Sequence, residues 1–495
     1  MDFPFLSVIA FTPAVAAILL LLLPKESKTE ARVIAAASSL FALVLALWVY
    51  FTYDRSAAGF QFVEQVNWIP AIGSSYHVGV DGISLPLLLL NCVVAFTGVL
   101  ISWGIDDRPN YFFAFLFLVV TGVNLVFVAL DLFLLFFAYE LAVFPMYLLI
   151  SIWGWKQTRA YAAMKLTLYL LVGSIIALVG LLALYFQAGL GTFDLLALQE
   201  AGVSAAFQKT WFLPVFLGFG VLAGIWPFHS WSPDGHVAAP SAGSMVHAGV
   251  LMKVGAYSAL RFGIELFPEG AQFWLPYIIL LTLVNVVYGS MIAMVQDDFK
   301  YVIGFSSVSH MGLVSMGFAT MSQAGMNGAA LQMFSHGVMT ALFFAVVGMV
   351  YDRAHTRHIP DLGGFVKIMP VAAVAFIIGG LVSMGMPGLS GFIAEVQIFL
   401  GLWQARTVAW WYPVVAALAS LGIIFTAAYV LRVVQRVFFG ELKAEFATLP
   451  DITVLDKVAL GILCAILIIV GAFPTVITNV IQTGVAPIVT LLGGG

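Results

Sequence analysis

Apolar segments long enough to cross a membrane follow one another almost without interruption from Phe5 to Leu492. About 20 apolar residues cover the hydrocarbon core of a bilayer, which is roughly 30 Å thick. Charged residues make up only 9% of the 495 residues, and the longest polar stretch, 54–80, is too short for a domain. The sequence therefore predicts an all-α, multi-pass integral membrane protein. Division at charges and turn residues gives fourteen spans at 4–24, 33–53, 82–104, 111–130, 131–152, 162–188, 211–229, 237–260, 272–294, 301–320, 325–351, 370–403, 411–431 and 458–482.

Lysine and arginine are distributed unevenly between the predicted loops. Loops after odd-numbered spans hold fourteen of the 20 basic residues, whereas loops after even-numbered spans hold four. Because basic loops stay on the cytoplasmic side, both termini are expected on the non-cytoplasmic side. The two remaining basic residues, Lys165 and Lys253, lie inside spans and need another explanation.

Two spans carry helix-breaking residues near their middle. Span 7 contains "LAGIWPFHSW" and span 12 contains "SMGMPGLSGFIAE". Freed backbone groups are tolerated at that depth only where they are buried in protein or line a wet cavity. The two breaks are five spans apart, an odd offset that inverts topology, so spans 4–8 and 9–13 are predicted to form two inverted five-helix repeats. The corresponding units are residues 1–110 (spans 1–3), 111–262 (first repeat), 263–440 (second repeat) and 441–495 (span 14 and tail).

Six ionisable side chains within the predicted spans are the main candidates for function. Each unpaired charge at such depth costs at least ~2.5 kcal/mol on insertion scales. Taken singly, each group is open to a second interpretation as hydrogen-bonded glue between helices. Taken together on separate spans beside two broken helices, they indicate a buried proton path, because acids, lysines and histidines in series can pass a proton along. The six are Glu140, Lys165, Lys253, His310, His336 and Glu395.

Motifs of soluble enzymes are not found. The two cysteines lie in apolar runs, and "GFGVLA" at 218–223 has no strand before it, as a dinucleotide-binding motif requires. The few basic residues form no nucleic-acid patch. We therefore expect no cofactor, metal or nucleic acid in this chain, and the lipid bilayer and other membrane subunits as its partners.

Several longer stretches carry a resemblance to a known family. These are "HVGVDGISL", "YELAVFPMYLLISIWG", "WSPDGHVAAPSAGSMVHAGVLMKVGAYSALR", "DDFKYVIGFSSVSHMG", "MFSHGVMTALFF" and "MGMPGLSGFIAE". Together they resemble the antiporter-like subunits of respiratory complex I and of multi-subunit cation/proton antiporters. Within that family the chain is most similar to the M-type subunits, because the others resemble one another in placing a lysine where Glu395 stands.

The resemblance implies a proton-translocating subunit of an NADH:quinone oxidoreductase. It implies fourteen helices in two inverted repeats, with the six buried ionisable residues as the proton path. FMN, iron–sulfur clusters, NADH and quinone are expected in partner subunits, with the L and N antiporter-like subunits as neighbours in a bacterial inner membrane. Two alternatives stay open: a subunit of a stand-alone cation/proton antiporter, and a scaffold subunit that no longer conducts.

Leu222 departs from the family pattern. The family usually carries a lysine there, just ahead of the break, as partner of the span 5 glutamate, so Glu140 lacks its expected counterion. We hypothesise that a histidine takes over, either His247, one to two turns before Lys253, or His229 beyond the break. If so, His247→Leu should impair proton pumping about as severely as Glu140→Gln, and wild-type pumping by that variant would exclude the exchange.

Overall fold

The computed structural model describes residues 3–57 and 59–493 of the chain. Helices make up most of this part, and a single β-hairpin follows the second helix. Up to the first helix break the elements are α1 (Phe5–Leu22), α2 (Lys28–Thr52), β1 (Gln61–Ile69), β2 (Ser74–Val80), α3 (Ser84–Ile101), α4 (Pro109–Val128), α5 (Leu132–Trp153), α6 (Arg159–Ala188), α7 (Leu195–Gln199) and α8 (Ala205–Ala223). Beyond it they are α9 (Trp231–Ala238), α10 (Ser241–Val246), α11 (Met252–Ser258), α12 (Pro268–Val295), α13 (Phe299–Ala319), α14 (Gln323–Ala354), α15 (Pro370–Ser383), α16 (Ser390–Gln404), α17 (Tyr412–Val433), α18 (Val454–Ala472) and α19 (Thr475–Leu491).

Twelve helices of the described chain are long and apolar enough to cross a membrane. They coincide with every predicted span except the eighth and the twelfth, which are both divided into shorter segments. The helical, multi-pass membrane fold is therefore confirmed, and the antiparallel hairpin β1–β2 is an addition to the all-α prediction. The number of fourteen crossings and the inverted repeat stay predictions.

Two predicted spans differ in detail from the structure. Span 8 begins only at Ser241, after Pro240, and alternates α10 and α11 with π-helical turns at His247–Leu251 and Ala259–Ile264. The prediction of span 14 as one helix over 458–482 was wrong, because α18 ends at Ala472 and α19 starts after Pro474. Proline has no backbone N–H to donate to the preceding turn, which explains the interruption.

The loops sort onto two faces of the helix bundle. On one, the basic face, Arg32 pairs with Asp106, the Trp153 indole donates to the Asp107 carbonyl, and Arg357 pairs with Asp298. These contacts join loops that follow spans 1, 3, 5, 9 and 11. The hairpin lies on the other, the hairpin face. This alternation is what a chain that crosses the membrane at each span requires.

Helix α14 forms the centre of the bundle. Its apolar stretch is buried along its whole length, and α13, α3 and α4 are buried almost as completely. Helices α1, α2 and α17 instead leave most of their apolar residues accessible at the periphery. In a membrane the peripheral apolar surface faces lipid, so polar chemistry is confined to the helices around α14.

Asp131 fixes the hairpin to the membrane helices. Its carboxylate accepts hydrogen bonds from the N–H groups of Phe133 and Leu134, both at 2.9 Å, and so caps the first turn of α5. The same carboxylate accepts from the Ser75 N–H in β2 at 2.9 Å. An N-terminal cap satisfies helix donors that have no intrahelical partner. One residue thus begins α5 and holds the hairpin over it.

The break in span 7 is bridged by a side chain from a neighbouring helix. Helix α8 ends because Gly224 adopts the left-handed conformation, with φ of 78°. The Asn285 amide of α12 donates to the Gly224 carbonyl at 2.8 Å, and its oxygen accepts from the Trp226 N–H at 2.6 Å. Asn285 therefore supplies the partners that the interrupted backbone lacks, as an apolar environment demands.

The break in span 12 brings a glycine against a carboxylate. Helix α15 ends at Ser383, and Gly385 follows with φ of 64°. A Cβ atom at Gly385 would collide with Oε2 of Glu395, which lies in the second turn of α16. The absence of a side chain at Gly385 lets the interrupted chain pass directly over Glu395.

Candidate functional site

Lys253 lies at the centre of the buried polar groups. Its side chain is fully buried in α11, beside the π-helical turn. The ammonium donates to the Ala248 carbonyl at 2.5 Å and lies 2.7 Å from Nδ1 of His336 on α14. Nε2 of His336 has no hydrogen-bond partner among the described residues. The imidazole thus faces a proton donor on one side and carries an unused nitrogen on the other.

His310 and Glu395 continue from His336 toward the second break. The His310 and His336 rings are 5.2 Å apart between centroids. His310 Nδ1 lies 3.7 Å from Oε1 of Glu395 and 3.1 Å from the Gln332 amide nitrogen, while its Nε2 lies 3.0 Å from the Ser383 hydroxyl. Both residues are buried. The Gln332 amide therefore donates a hydrogen bond to the same His310 nitrogen that faces Glu395.

Lys165 has an ion-pair partner that the sequence analysis did not identify. Its ammonium lies 2.7 Å from the Asp234 carboxylate of α9, and the Tyr301 hydroxyl donates to the same carboxylate at 2.9 Å. Asp234 belongs to the "WSPDGH" stretch that follows the first break. Asp234 therefore faces the neighbouring helices α6 and α13, rather than capping a turn in solvent.

Two histidines lie between this ion pair and Lys253. His236 of α9 and His247 are fully buried, and their rings are 4.2 Å apart between centroids. The His236 Nε2 lies 3.0 Å from the Ser232 hydroxyl, whereas its Nδ1 and both nitrogens of His247 lack hydrogen-bond partners among the described residues. His247 also packs on the Trp231 indole. Buried nitrogens without partners are unusual and mark positions where a proton or a water would be bound.

The structure brings most of the predicted residues into one series, which we call the polar row. It extends from α6 and α9 through the π-helical turn at His247–Leu251 and α11 to α14, α13 and α16, from one broken helix to the other. In spatial order the polar row consists of Lys165, Asp234, His236, His247, Lys253, His336, His310 and Glu395.

Glu140 lies apart from the other predicted residues. It is half-buried on α5, and its carboxylate accepts a hydrogen bond from the Ser174 hydroxyl of α6 at 2.8 Å. No ion pair to Glu140 is found in the described ranges 3–57 and 59–493. Leu222 packs instead against Gly255 of α11. Glu140 thus has one neutral hydrogen-bond donor where the family pattern has a lysine.

Neither histidine proposed as a substitute for that lysine contacts Glu140. His247 packs on His236 and Trp231, as described above, and His229 stacks edge-on against Tyr288 with ring centroids 5.4 Å apart. The exchange of lysine for histidine stays a hypothesis. Its direct form, a hydrogen bond to Glu140, is not the arrangement that the structure has.

A second ionic cluster lies near the hairpin face. Arg261 pairs with both Asp81 and Glu265, and all three side chains are buried. Burial raises the pKa of Asp81, but the Arg261 guanidinium more than offsets this and holds that pKa below its usual value. His77 of β2 lies 2.6 Å from Asp194, and its hydrogen bond helps to hold the pKa of Asp194 below the usual value although burial raises it. The first cluster ties the end of the hairpin to the π-helical turn at Ala259–Ile264, and the second pair ties β2 to the start of α7.

Metal-binding geometry is not found in the part of the chain that the structure describes. Three or more His, Cys, Asp or Glu side chains do not come together there in a group that could hold an ion. The polar row has an acid near each end, Asp234 and Glu395, and five basic side chains between them, joined by an ion pair, hydrogen bonds and ring contacts.

Comparison with known proteins identifies a family. Residues 129–426 match the family described as "NADH:quinone oxidoreductase/Mrp antiporter, TM". The NADH-quinone oxidoreductase subunit M of Rhodobacter capsulatus is 38% identical over 503 residues, which cover 98% of this chain and 96% of that protein.

Solved structures show the same fold. A chain of respiratory complex I from Thermus thermophilus with bound NADH has a TM-score of 0.90 at 27% identity and is covered completely, with 99% of this chain. A chain of the Mrp complex from a Dietzia species has a TM-score of 0.86 at 19% identity, with both chains covered completely. The second likeness concerns the fold alone.

Proposed function

Because this chain belongs to the antiporter-like membrane subunits of NADH:quinone oxidoreductase and Mrp antiporters, we propose that it translocates protons across the membrane along the polar row. It is an M-type subunit of the complex I membrane arm. The reduction of quinone, catalysed by partner subunits, supplies the energy. The observation that carries the proposal is the contact between Lys253 and His336 at the centre of the row.

The centre of the polar row suits reversible proton transfer. The Lys253 ammonium and the His336 imidazole lie 2.7 Å apart, so the transfer of one proton converts them into an amine and an imidazolium. Both side chains are buried. In such surroundings a small change in nearby charge alters the protonation equilibrium strongly, because low dielectric strengthens electrostatic interactions. A proton on Lys253 passes to His336 Nδ1, and the ring releases its other proton from Nε2 toward His310.

The second break forms the end of the path. His310 Nδ1 and Glu395 Oε1 are 3.7 Å apart, and the Gln332 amide occupies that nitrogen. When the amide moves away, His310 and Glu395 approach each other and His310 passes its proton to the carboxylate. Gly385 leaves the Glu395 carboxylate room against the interrupted backbone. The break thus gives the terminal acid flexible surroundings, and Glu140 at the other end of the subunit responds to charge through Ser174.

The redox chemistry belongs to partner subunits in this proposal. FMN, iron–sulfur clusters, NADH and quinone bind there, and the neighbouring L and N antiporter-like subunits pack against this chain in a bacterial inner membrane. The basic face is cytoplasmic by the positive-inside rule, so both termini lie on the other side. Quinone reduction changes the charge at the end of the membrane arm. In response, the protonation of neighbouring groups changes in turn along the polar row.

A cation/proton antiporter subunit is the second candidate. The complete overlap with a chain of the Mrp complex supports it, whereas Glu395 in place of the lysine shared by the antiporter proteins argues against it. A scaffold subunit without conduction is the third, and Leu222 is its only support. The antiporter and scaffold alternatives do not require NADH-driven pumping to depend on Lys253, whereas the main proposal does.

The test compares wild type with Lys253→Ala in inverted membrane vesicles. NADH-driven quinone reduction and the pH gradient are recorded together, and native gels report assembly of the complex. Lys209→Ala removes an exposed lysine and serves as the matched control. Loss of both activities in an assembled Lys253→Ala complex, with the control unchanged, supports the proposal. Normal pumping by Lys253→Ala would refute it, and loss of sodium-driven proton exchange alone would indicate the antiporter.

A further inference from the structure

Lys300 is a buried lysine that the proposed path does not use. It is the second residue of α13, only 5% of its surface is accessible, and it lies one residue before the predicted span 10. Its ammonium donates to the Ala239 carbonyl at 2.8 Å and contacts the Ser244 hydroxyl at 3.3 Å. Neither partner is charged. A lysine this deep without a direct carboxylate partner needs a functional or structural reason.

A polar pocket connects Lys300 with the basic face. The pocket has a volume of about 550 Å³, and Lys300 lies in its wall with Ser102, Lys156, Asp352 and Arg357. Lys156 belongs to the basic loop after span 5. A pocket of this size has room for several water molecules, since about 10–15 Å³ of such volume accommodates one.

Fixed charges surround the Lys300 ammonium. Asp298 caps α13 and pairs with Arg357 at 3.2 Å, and Arg357 stacks on the Trp155 ring with 4.1 Å between its guanidinium carbon and the ring centroid. Asp352 of α14 also faces this region. One arginine and two acids around one lysine form a cluster whose total charge depends on whether Lys300 carries a proton.

The other side of Lys300 leads to the polar row. The Ser244 hydroxyl that contacts its ammonium donates to the His236 carbonyl at 2.8 Å. His236 contacts His247, and both rings carry nitrogens without partners among the described residues. Lys300 thus stands between water on the basic face and the unpartnered histidines.

We propose that Lys300 is the residue through which the polar row takes up protons from the basic face. Neutral Lys300 binds a proton from water in the pocket and releases it toward the His236 ring. The proton passes through His247 to Lys253 once Lys253 has given its own proton to His336 and carries a free lone pair. Each transfer moves one proton from an N–H to a free nitrogen lone pair, so no other bond changes. This inference rests on the proposed function, because it adds an entrance to the path through Lys253.

The experiment compares three replacements of Lys300 in inverted vesicles that contain the assembled complex. Lys300→Arg keeps the charge and the hydrogen-bond donors but holds its proton at all accessible pH values. Lys300→Met removes both. Lys300→His restores a group that binds and releases a proton near neutrality. Lys367→Met, at an exposed lysine on the same face, is the matched control, and Lys253→Ala is measured in parallel.

We expect NADH-driven proton translocation to fall at least fivefold in Lys300→Arg and Lys300→Met, and to stay above half of wild type in Lys300→His and Lys367→Met. Wild-type rates in Lys300→Arg, or failure of all three Lys300 variants to assemble, would assign Lys300 a structural role and overturn the inference. If Lys253→Ala is inactive while every Lys300 variant pumps normally, only the entrance is wrong. If Lys253→Ala also pumps normally, the proposed function itself fails.

Discussion

Replacing Asn285 with leucine should open the first helix break. Leucine has nearly the same volume but cannot bind the Gly224 carbonyl or the Trp226 N–H, which Asn285 contacts at 2.8 and 2.6 Å. Each backbone group left without a partner costs about 1–3 kcal/mol. The two together give about 2–6 kcal/mol, and about 1.4 kcal/mol corresponds to a tenfold change in an equilibrium. The open form of the break should therefore become at least about thirtyfold more populated.

Hydrogen exchange in the purified complex measures this opening directly. Peptides that cover residues 222–231 should exchange at least about thirtyfold faster in Asn285→Leu, whereas peptides over the second break, 383–390, should be unchanged. Asn67→Leu, on the exposed side of β1, replaces an asparagine without buried partners and is the control. Exchange within threefold of wild type at 222–231 would show that the break does not depend on Asn285, and the account of its backbone partners would be refuted.

Two further substitutions test other contacts. Gly385→Ala forces a side chain into a left-handed conformation, at about 1–2 kcal/mol, and against the Glu395 carboxylate, so we expect proton translocation in vesicles to fall at least fivefold. Gly388→Ala has similar backbone strain but open space around its Cβ, and an equal loss there would contradict a role for the contact with Glu395. Asp81→Asn leaves the buried Arg261 with one carboxylate, which should cost about 3–5 kcal/mol and lower the yield of assembled complex on native gels. An undiminished yield would show that the cluster does not stabilise the hairpin face.

The membrane helices were predictable because the bilayer imposes one simple requirement on each span. Length and hydropathy place most of the twelve membrane-length helices within a few residues of their positions in the structure, although span 7 lies six residues too far along the chain and span 14 extends ten residues beyond α18. The breaks in spans 7 and 12 were also predictable, since Gly224 and Gly385 lie in otherwise apolar runs. Span 8 was less so, because π-helical turns arise from packing and leave no signal in hydropathy.

The hairpin escaped prediction for a different reason. Residues 54–80 form no compact unit alone, and β1 and β2 are held in place by Asp131 and Asp194, which are distant in sequence. Such contacts between separate loops cannot be deduced from composition. A short polar stretch between two spans is compatible with many conformations.

Six of the eight members of the polar row were among the residues named from the sequence, but their pairing was not predicted. Lys165, Lys253 and Glu395 were identifiable because a charge inside a span is rare. Asp234 was not, because it follows a Pro and Gly break and so has the sequence context of an exposed turn. Lys300 was missed because it stands one residue inside α13, where the sequence places a loop boundary. Residues at helix ends are ambiguous in depth, and only tertiary packing decides it.

The enclosure of α14 on all sides has a consequence for biogenesis. This helix leaves the ribosome before α15, α16, α18 and α19, which later pack against it, and it carries polar side chains at Gln332, Ser335 and His336. Ser335 lacks the Ser390 hydroxyl, which it contacts at 2.7 Å in the finished protein, until 55 further residues have been made, and His310 on α13 lacks Ser383 until 73 have been made. The insertion machinery therefore has to shelter an unfinished helix bundle, and truncation before α16 should turn the most central helix into the first target of membrane quality control.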